Sequence, residues 1–105
     1  MVDRQEGKWS VYRHTSPSGK IYIGITSRTP KKRWGHGCNY TGSKLFHRAI
    51  QKYGWDNIKH EIMFTGLLES KAKHLEIDLI RHYKALGISY NITDGGDGII
   101  GVPHT

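Results

Sequence analysis

An amphipathic segment at residues 70–86 limits the folds that are open to this chain. Apolar side chains recur there at spacings of three and four and form one stripe of a helix: Ala72, Leu75, Leu79, Ile80, Tyr83 and Leu86. Gly87 follows as a stop signal. A helix with one apolar face has to bury that face against another layer, so the pattern predicts a helix that covers a sheet.

Three segments carry the patterns of strands. Residues 9–15 and 20–26 are rich in aromatic and β-branched side chains, and Pro17 and Gly19 lie in the break between them. Proline fits an early turn position and glycine accepts a positive φ, so these two segments predict a hairpin. Residues 58–64 place apolar or aromatic side chains at every second position, which predicts a third strand.

Two further segments predict helices. Pro30 suits the first turn of a short helix that ends near Gly35 and Gly37, and residues 43–53 are amphipathic with Gly54 beyond their end. The fold class is therefore α/β in the broad sense (α+β): a small, three-stranded, mostly antiparallel sheet flanked by helices. We expect one domain over residues 1–105, with residues 94–105 as a flexible tail or the start of a linker.

Composition limits the classes of function. Hydrophobic residues make up 36% of the chain and charged residues 24%, a balance typical of folded globular domains. The sequence has neither a long apolar stretch nor a secretory signal, so we expect an intracellular protein that is not secreted. The formal net charge of +7 favours a polyanionic partner, and nucleic acid above membranes or acidic metabolites. Cys38 stands alone and is interpreted as an inert thiol.

Glu76 is the anomaly of the amphipathic helix, because it falls near the middle of the apolar arc. An ionised carboxylate in an apolar surface costs several kcal/mol unless a cation, a metal or hydrogen-bond donors compensate for it. One interpretation is that Glu76 reaches solvent or a structural arginine. The other is that it binds a divalent ion, since carboxylate oxygen suits Mg²⁺.

The hairpin and the segment after it supply further polar candidates. Tyr12 and Tyr22 are separated by an even number of positions, which is compatible with one sheet face, and Lys20 lies two residues before Tyr22. These tyrosines are either ordinary packed strand residues or two phenols of one site, and Lys20 either faces solvent or acts on a phenol. Arg33 lies in a basic cluster and offers a planar fork for phosphate.

Three other polar residues are weaker candidates. His36 and His47 are candidate proton donors or phosphate ligands because imidazole titrates near neutral pH. Asn91 either offers an amide to a phosphate or to Glu76, or has an ordinary role in a turn. The histidines show no spacing that specifies a zinc site.

Taken together, these motifs resemble the signature of the GIY-YIG nucleases in chain order. Ser10-Val11-Tyr12 stands where that family has Gly-Ile-Tyr, and Tyr22-Ile23-Gly24 is an intact Tyr-Ile-Gly element. Arg33-Trp34 follows at an appropriate distance, residues 47–55 resemble the middle helix of phage and intron-associated members, and Tyr90-Asn91-Ile92-Thr93 resembles the terminal element. Glu76 falls at the helix glutamate of the family.

The resemblance implies a metal-dependent endonuclease that hydrolyses phosphodiester bonds in DNA. Carried onto this sequence, it gives catalytic roles to Tyr12, Tyr22, Arg33, Glu76, Lys20, His36 and Asn91. Glu76 would hold one Mg²⁺ or Mn²⁺ ion, Arg33 would bind the scissile phosphate, and one tyrosine would act as a base or orient water. We expect DNA contacts from Arg28, Lys31, Lys32, His47 and Arg48, and, as in the homing-endonuclease branch, a separate DNA-binding region beyond the C-terminus.

The sequence departs from the family pattern at Ser10-Val11 and at Gly37, where such members often carry a histidine. Two alternatives to a nuclease remain: a non-catalytic basic nucleic-acid-binding module whose tyrosines stack on bases, and a decayed GIY-YIG scaffold that makes protein contacts. Glu76 discriminates against the first, because a stacking module has no use for a carboxylate that repels phosphate.

Overall fold

One antiparallel sheet organises the chain. The computed structural model describes residues 8–40 and 42–91, and its strands are Trp9–Thr15 (β1), Ile21–Thr26 (β2) and Lys59–Leu67 (β3). The strand order is β2-β1-β3, and β1 pairs with both neighbours in the antiparallel sense. The predicted fold class is confirmed. The third strand runs to Leu67, three residues past its predicted end, on a stretch where its register with β1 shifts.

The hairpin between β1 and β2 sets the register that the candidate site depends on. Its turn is closed by a hydrogen bond from the Gly19 amide to the Ser16 carbonyl (2.8 Å), with Gly19 at φ 88°. Tyr12 pairs with Gly24 and His14 pairs with Tyr22. Because side chains alternate along strands, these four residues lie on one face of the sheet, as the spacing of the tyrosines predicts.

Helices cover the sheet. They are Pro30–Trp34 (α1), Lys44–Tyr53 (α2) and Glu69–Ala85 (α3), with short 3₁₀ segments at Gly35–Tyr40 and Trp55–Asn57. The longest helix, α3, begins and ends one residue before its predicted bounds. Gly87 follows with φ 74°, and its amide donates to the Lys84 carbonyl at 2.9 Å. The helix therefore ends at the predicted glycine, which adopts a positive φ that other residues rarely adopt.

Two hydrophobic clusters lie on opposite faces of the sheet. Val11, Ile23, Ala72 and Ile80 belong to the cluster under α3. The other cluster is aromatic and lies under α2; its buried members are Tyr12, Tyr40, Phe46, Ala49, Ile58 and Tyr90. Successive residues of β1, Val11 and Tyr12, therefore point into different clusters, as expected for a strand buried on both sides.

The outer edge of β2 is covered over only part of its length. The Ile21 amide donates to the Ile88 carbonyl at 2.7 Å, and the Tyr90 amide donates back to the Ile21 carbonyl at 2.7 Å. One step along, the side chain of Asn91 accepts from the Ile23 amide and donates to the Ile23 carbonyl, both at 2.9 Å. The edge beside the remaining residues of β2 is where the candidate site opens.

Among the helices of the described residues, none has the length and apolar character to cross a membrane. Residues 94–105, for which a tail or linker is predicted, lie outside the described part of the chain.

Replacing Asn91 by alanine should destabilise the fold. The variant leaves the amide and carbonyl of Ile23, a residue with 1% exposure, without their partners, and a buried unsatisfied group costs about 1–3 kcal/mol. Urea denaturation followed by circular dichroism should show a lower midpoint. Asn57→Ala is the matched control, because the hydrogen bond of Asn57 to the Tyr53 carbonyl is exposed. Equal midpoints for both variants would contradict this role of Asn91.

Candidate active site

A cleft of about 450 Å³ opens at the edge of the sheet beside Gly24 and Ile25. Residues from both strands of the hairpin, from α1 and from α3 line it: Trp9, Tyr12, Tyr22, Gly24, Ile25, Arg33, Glu69, Lys73 and Glu76. Four of the sequence-predicted site residues, Tyr12, Tyr22, Arg33 and Glu76, therefore share one cavity.

The floor of the cleft is the Tyr12 ring, packed against Gly24 of the neighbouring strand. A Cβ atom on Gly24 would lie 2.4 Å from the Tyr12 hydroxyl oxygen and from its Cζ atom, so a side chain at position 24 and the phenol compete for the same space. Tyr12 has no solvent-exposed area. Burial raises the pKa of the Tyr12 phenol to about 12, and the nearby Tyr22 acts in the same direction. Tyr12 is therefore a neutral phenol at physiological pH.

Tyr22 is the more accessible phenol. Its ring stacks on Phe46 of α2 with centroids 4.7 Å apart, and its hydroxyl lies 3.3 Å from the Ser43 hydroxyl at the start of that helix. These contacts hold the ring while the residue stays partly exposed in the cleft wall. The two tyrosines thus differ in environment: one is enclosed at the floor and the other reaches solvent.

Arg33 enters the cleft from the short helix α1. Its guanidinium lies over the Tyr40 ring, 4.7 Å from the centroid, which fixes the side chain by a cation–π contact. Its charge acts to lower the pKa of Tyr12, against the larger effect of burial, so the guanidinium is electrostatically close to the floor. A planar fork held in this way has the geometry that phosphate recognition uses.

Glu76 occupies the α3 wall, partly buried, where the sequence predicts a carboxylate within an apolar face. The anomaly has a structural reason: Glu76 lines the cleft and is not part of the hydrophobic cluster beneath the helix. Its negative charge contributes to the raised pKa of Tyr12, after burial and Tyr22. The carboxylate is therefore within electrostatic range of the floor.

The sequence interpretation did not single out two other charged residues of this wall. Glu69 and Lys73 line the cleft and form an ion pair of 3.1 Å one turn of α3 apart. The signal was present, because positions 69, 73 and 76 share one helical face at spacings of four and three. Lys73 therefore offsets part of the negative charge of this wall.

Three predicted catalytic residues lie elsewhere. Lys20 precedes β2, is exposed and lines a different groove. It is therefore not part of the strand that would place its side chain beside Tyr22. Asn91 uses both ends of its amide on the backbone of Ile23. His36 is exposed in the 3₁₀ segment with φ 55°. The structure gives these three residues no place in the cleft lining.

The surroundings of Gly37 leave no space for a side chain at this position. Its φ is 93°, and a Cβ atom there would lie 2.8 Å from the Trp55 ring. A side chain at this position would clash with a ring of the aromatic cluster, and the positive φ adds backbone strain. The histidine that the family pattern often carries therefore has no room at position 37.

The residues predicted to contact DNA divide between two surfaces. Arg28, Lys31 and Lys32 are exposed before and on α1, on the side of the chain that supplies Arg33. Arg48 lines a second groove of about 400 Å³ with Lys20 and Lys52. His47 is partly buried, and its Nδ1 atom lies inside without a hydrogen-bond partner among the described residues.

The candidate metal ligands among the described residues of the cleft lining are carboxylates. Within residues 8–40 and 42–91, no group of three or more His, Cys, Asp or Glu side chains is arranged to hold an ion. Glu76, with Glu69 nearby in the same wall, offers hard oxygen donors. Such a set matches an ion that keeps most of its waters and takes further ligands from phosphate, and it does not match zinc.

Comparison with known proteins identifies the family of the chain. The model of the GIY-YIG catalytic domain, a family of nucleases that act on DNA, matches residues 8–91. Searches of curated proteins and of solved structures returned no match. The matched segment contains β1 through Asn91 and every residue of the cleft, and on this basis the chain belongs to the GIY-YIG family.

Proposed function

We propose that the chain is a metal-dependent DNA endonuclease and that it hydrolyses a phosphodiester bond in the cleft of Tyr12, Tyr22, Arg33 and Glu76. The observation that carries this proposal is the convergence of these four residues, distant in sequence, on one cavity of about 450 Å³. Two phenols, a guanidinium and a carboxylate around one open space are suited to binding a phosphate, a cation and a water molecule.

Arg33 would bind the scissile phosphate. Its donors match two phosphate oxygens, and the charge gained by those oxygens in the transition state strengthens the interaction. The stacking of its guanidinium on Tyr40 reduces the freedom that the side chain would lose on binding. Arg33 is thus preorganised, which is the property that makes electrostatic stabilisation effective.

Glu76 would hold one Mg²⁺ or Mn²⁺ ion in the cleft. When bound, the ion would supply charge to stabilise the leaving oxygen of the phosphodiester. The carboxylate suits this role because it lies partly buried beside the place where phosphate would bind, with few competing donors that prefer a softer metal.

Tyr22 would contact and orient the attacking water. It is the tyrosine with exposed area in the cleft, whereas Tyr12 has none. The Tyr12 pKa of about 12 keeps that residue a neutral phenol, so its contribution would be to build the floor of the cleft. Water would attack in line with the leaving oxygen, and the rate would come from positioning and electrostatics rather than from a covalent intermediate.

The duplex would contact two basic surfaces, the second groove and the exposed residues of α1. The chain has a net charge of +7. The second groove contains three cationic side chains that attract phosphate, those of Lys20, Arg48 and Lys52. The exposed Lys31 and Lys32 of α1 would add contacts near Arg33. Contacts of this kind hold the backbone of DNA with little preference for sequence.

The contacts of the two tyrosines weigh against the base-stacking alternative. The Tyr22 ring is already stacked on Phe46, and the Tyr12 ring is fully buried against Gly24. The Tyr22 ring therefore has its stacking contact inside the protein, and the Tyr12 ring has no exposed area on which a base can stack. Only an assay of DNA cleavage distinguishes a decayed scaffold from an enzyme.

Nicking of supercoiled plasmid in Mg²⁺ should depend on the cleft. We expect Glu76→Gln, Arg33→Ala and Tyr22→Phe each to reduce the initial rate by about 100-fold or more, since each removes a group that stabilises or positions the reacting atoms. EDTA should abolish the reaction. Asp78→Asn is the matched control for Glu76→Gln, because Asp78 is an exposed carboxylate of the same helix and should retain the wild-type rate. Equal trace product from all proteins, insensitive to EDTA, would refute a nuclease.

Binding of DNA should depend on salt through the second groove. In EDTA, fluorescence anisotropy of a labelled duplex should show weaker binding for the double variant Arg48→Gln/Lys52→Gln. The slope of log K against log salt should be smaller by about 2 in magnitude, because each lost phosphate contact removes about 0.9. The control Lys71→Gln/Arg81→Gln removes the same charge from exposed positions of α3. Equal slopes for the two double variants would exclude the groove as a DNA surface.

A further inference from the structure

One stripe of α2 combines apolar and cationic side chains. At spacings of three and four, the helix carries there Leu45, Arg48, Ala49 and Lys52. All four line the second groove, a concave space of about 400 Å³. The rest of its described lining comes from the end of α2, the hairpin turn and the segment after α3: Tyr53, Ser18, Lys20, Ser89 and Tyr90.

The second groove has an apolar floor. Ala49 and Tyr90 are only 4% and 8% exposed and belong to the aromatic cluster, so they close the bottom of the groove. Leu45 is 41% exposed and Tyr53 is partly buried, and both add apolar surface that solvent reaches. A single exposed leucine is ordinary on a convex surface. Inside a groove it offers apolar surface that a ligand can cover.

The rim of the groove carries charge of one sign. Lys20, Arg48 and Lys52 are exposed, and none of the described residues in the lining is acidic. Nζ of Lys52 lies 5.2 Å from the centroid of the Tyr53 ring, which places the ammonium group beside the apolar surface. A ligand that matches this groove therefore combines negative charge with an apolar face.

The cleft and the second groove are neighbours along the hairpin. Tyr22 lines the cleft and Lys20 lines the groove, and two positions of a chain span at most about 7 Å. On α2, Leu45 of the groove directly precedes Phe46, whose ring stacks on Tyr22. A DNA strand with a phosphate in the cleft therefore has the groove within reach of its neighbouring nucleotides.

Paired and unpaired nucleotides differ in what they offer to such a groove. In a duplex the faces of the bases stack on one another, so its phosphates would meet the cations of the rim and the floor would stay uncovered. An unpaired nucleotide presents a base face together with its phosphate. Proteins bind single strands through this combination, with cations along the backbone and apolar or aromatic side chains under the bases.

We propose that the second groove binds an unpaired nucleotide of DNA, with the base on the apolar floor beside Leu45 and the phosphates at the three cations of the rim. This inference rests on the proposed function and deepens it. The substrate class that it gives is DNA in which a single-stranded segment adjoins a duplex. The cations alone would bind any phosphate, and the apolar floor between them is the observation that favours a base.

Binding in EDTA tests the contact with the base. Two labelled oligomers of equal length, an oligothymidylate and a chain of abasic sites, carry the same phosphates and differ in their bases. Fluorescence anisotropy at low salt should show about 10-fold tighter binding of the oligothymidylate, since stacking of one base on a side chain has an effect of this order. Equal affinities for the two oligomers would overturn the inference.

Leu45→Gln tests whether the preference comes from the groove. The variant should reduce the preference to about threefold or less, and affinity for the abasic oligomer should stay within about twofold of wild type because no charge changes. Leu86→Gln is the matched control, because Leu86 is a 59% exposed leucine outside the described lining of the groove. A preference that persists in Leu45→Gln, or that both variants lose equally, would overturn the inference.

Cleavage in Mg²⁺ tests the substrate class. A forked duplex with two unpaired arms should have a KM about 10-fold lower than a continuous duplex of the same length, and Leu45→Gln should remove the difference. If the wild-type protein cleaves both with the same KM, the inference is overturned and the nuclease stands. If it cleaves neither but prefers the oligothymidylate through Leu45, the proposed function fails and the groove stands as a site for single-stranded DNA.

Discussion

The packing of the Tyr12 ring on Gly24 is the contact on which the cleft depends. A side chain on the cross-strand partner would place its Cβ atom 2.4 Å from the phenol, closer than non-bonded atoms approach, so the ring packs against the neighbouring strand only because the partner is glycine. This contact lowers the floor of the cavity and allows Arg33 and Glu76 to face the same space from different elements. It also buries the phenol, which sets its protonation state.

One part of the outer edge of β2 is closed by hydrogen bonds, and the other part borders the cleft. The amide of Asn91 and the backbone of residues 88–90 complete the hydrogen bonding of β2 at Ile21 and Ile23, which closes that part of the edge. Beyond it, the strand borders the cleft instead of another strand. An exposed edge would offer pairing to other chains, and here charged side chains of α3 line the cleft beside that stretch.

Electrostatic compensation accounts for the acidic residues in a basic protein. Glu76 and Glu69 lie in one wall, and the ion pair of Glu69 with Lys73 offsets part of their negative charge. Across the cavity, Arg33 provides the opposite sign. The proposed ligand, a metal-bound phosphate, would bring both a cation and an anion, and each of the two charges would meet a complementary side chain.

Local patterns in the sequence determined the elements of this protein. The period of 3.6 in residues 70–86, the alternation in β3 and the turn at Pro17 to Gly19 predict the fold class, since side-chain periodicity and turn chemistry act over short distances. They also select Tyr12, Tyr22, Arg33 and Glu76. Tertiary structure alone decided that Lys20 and Asn91 lie outside the cleft, that Lys73 lies inside it, and that Lys20, Leu45 and Arg48 line one groove. The physical reason is that such contacts depend on register and packing between elements distant in sequence, which no local pattern encodes.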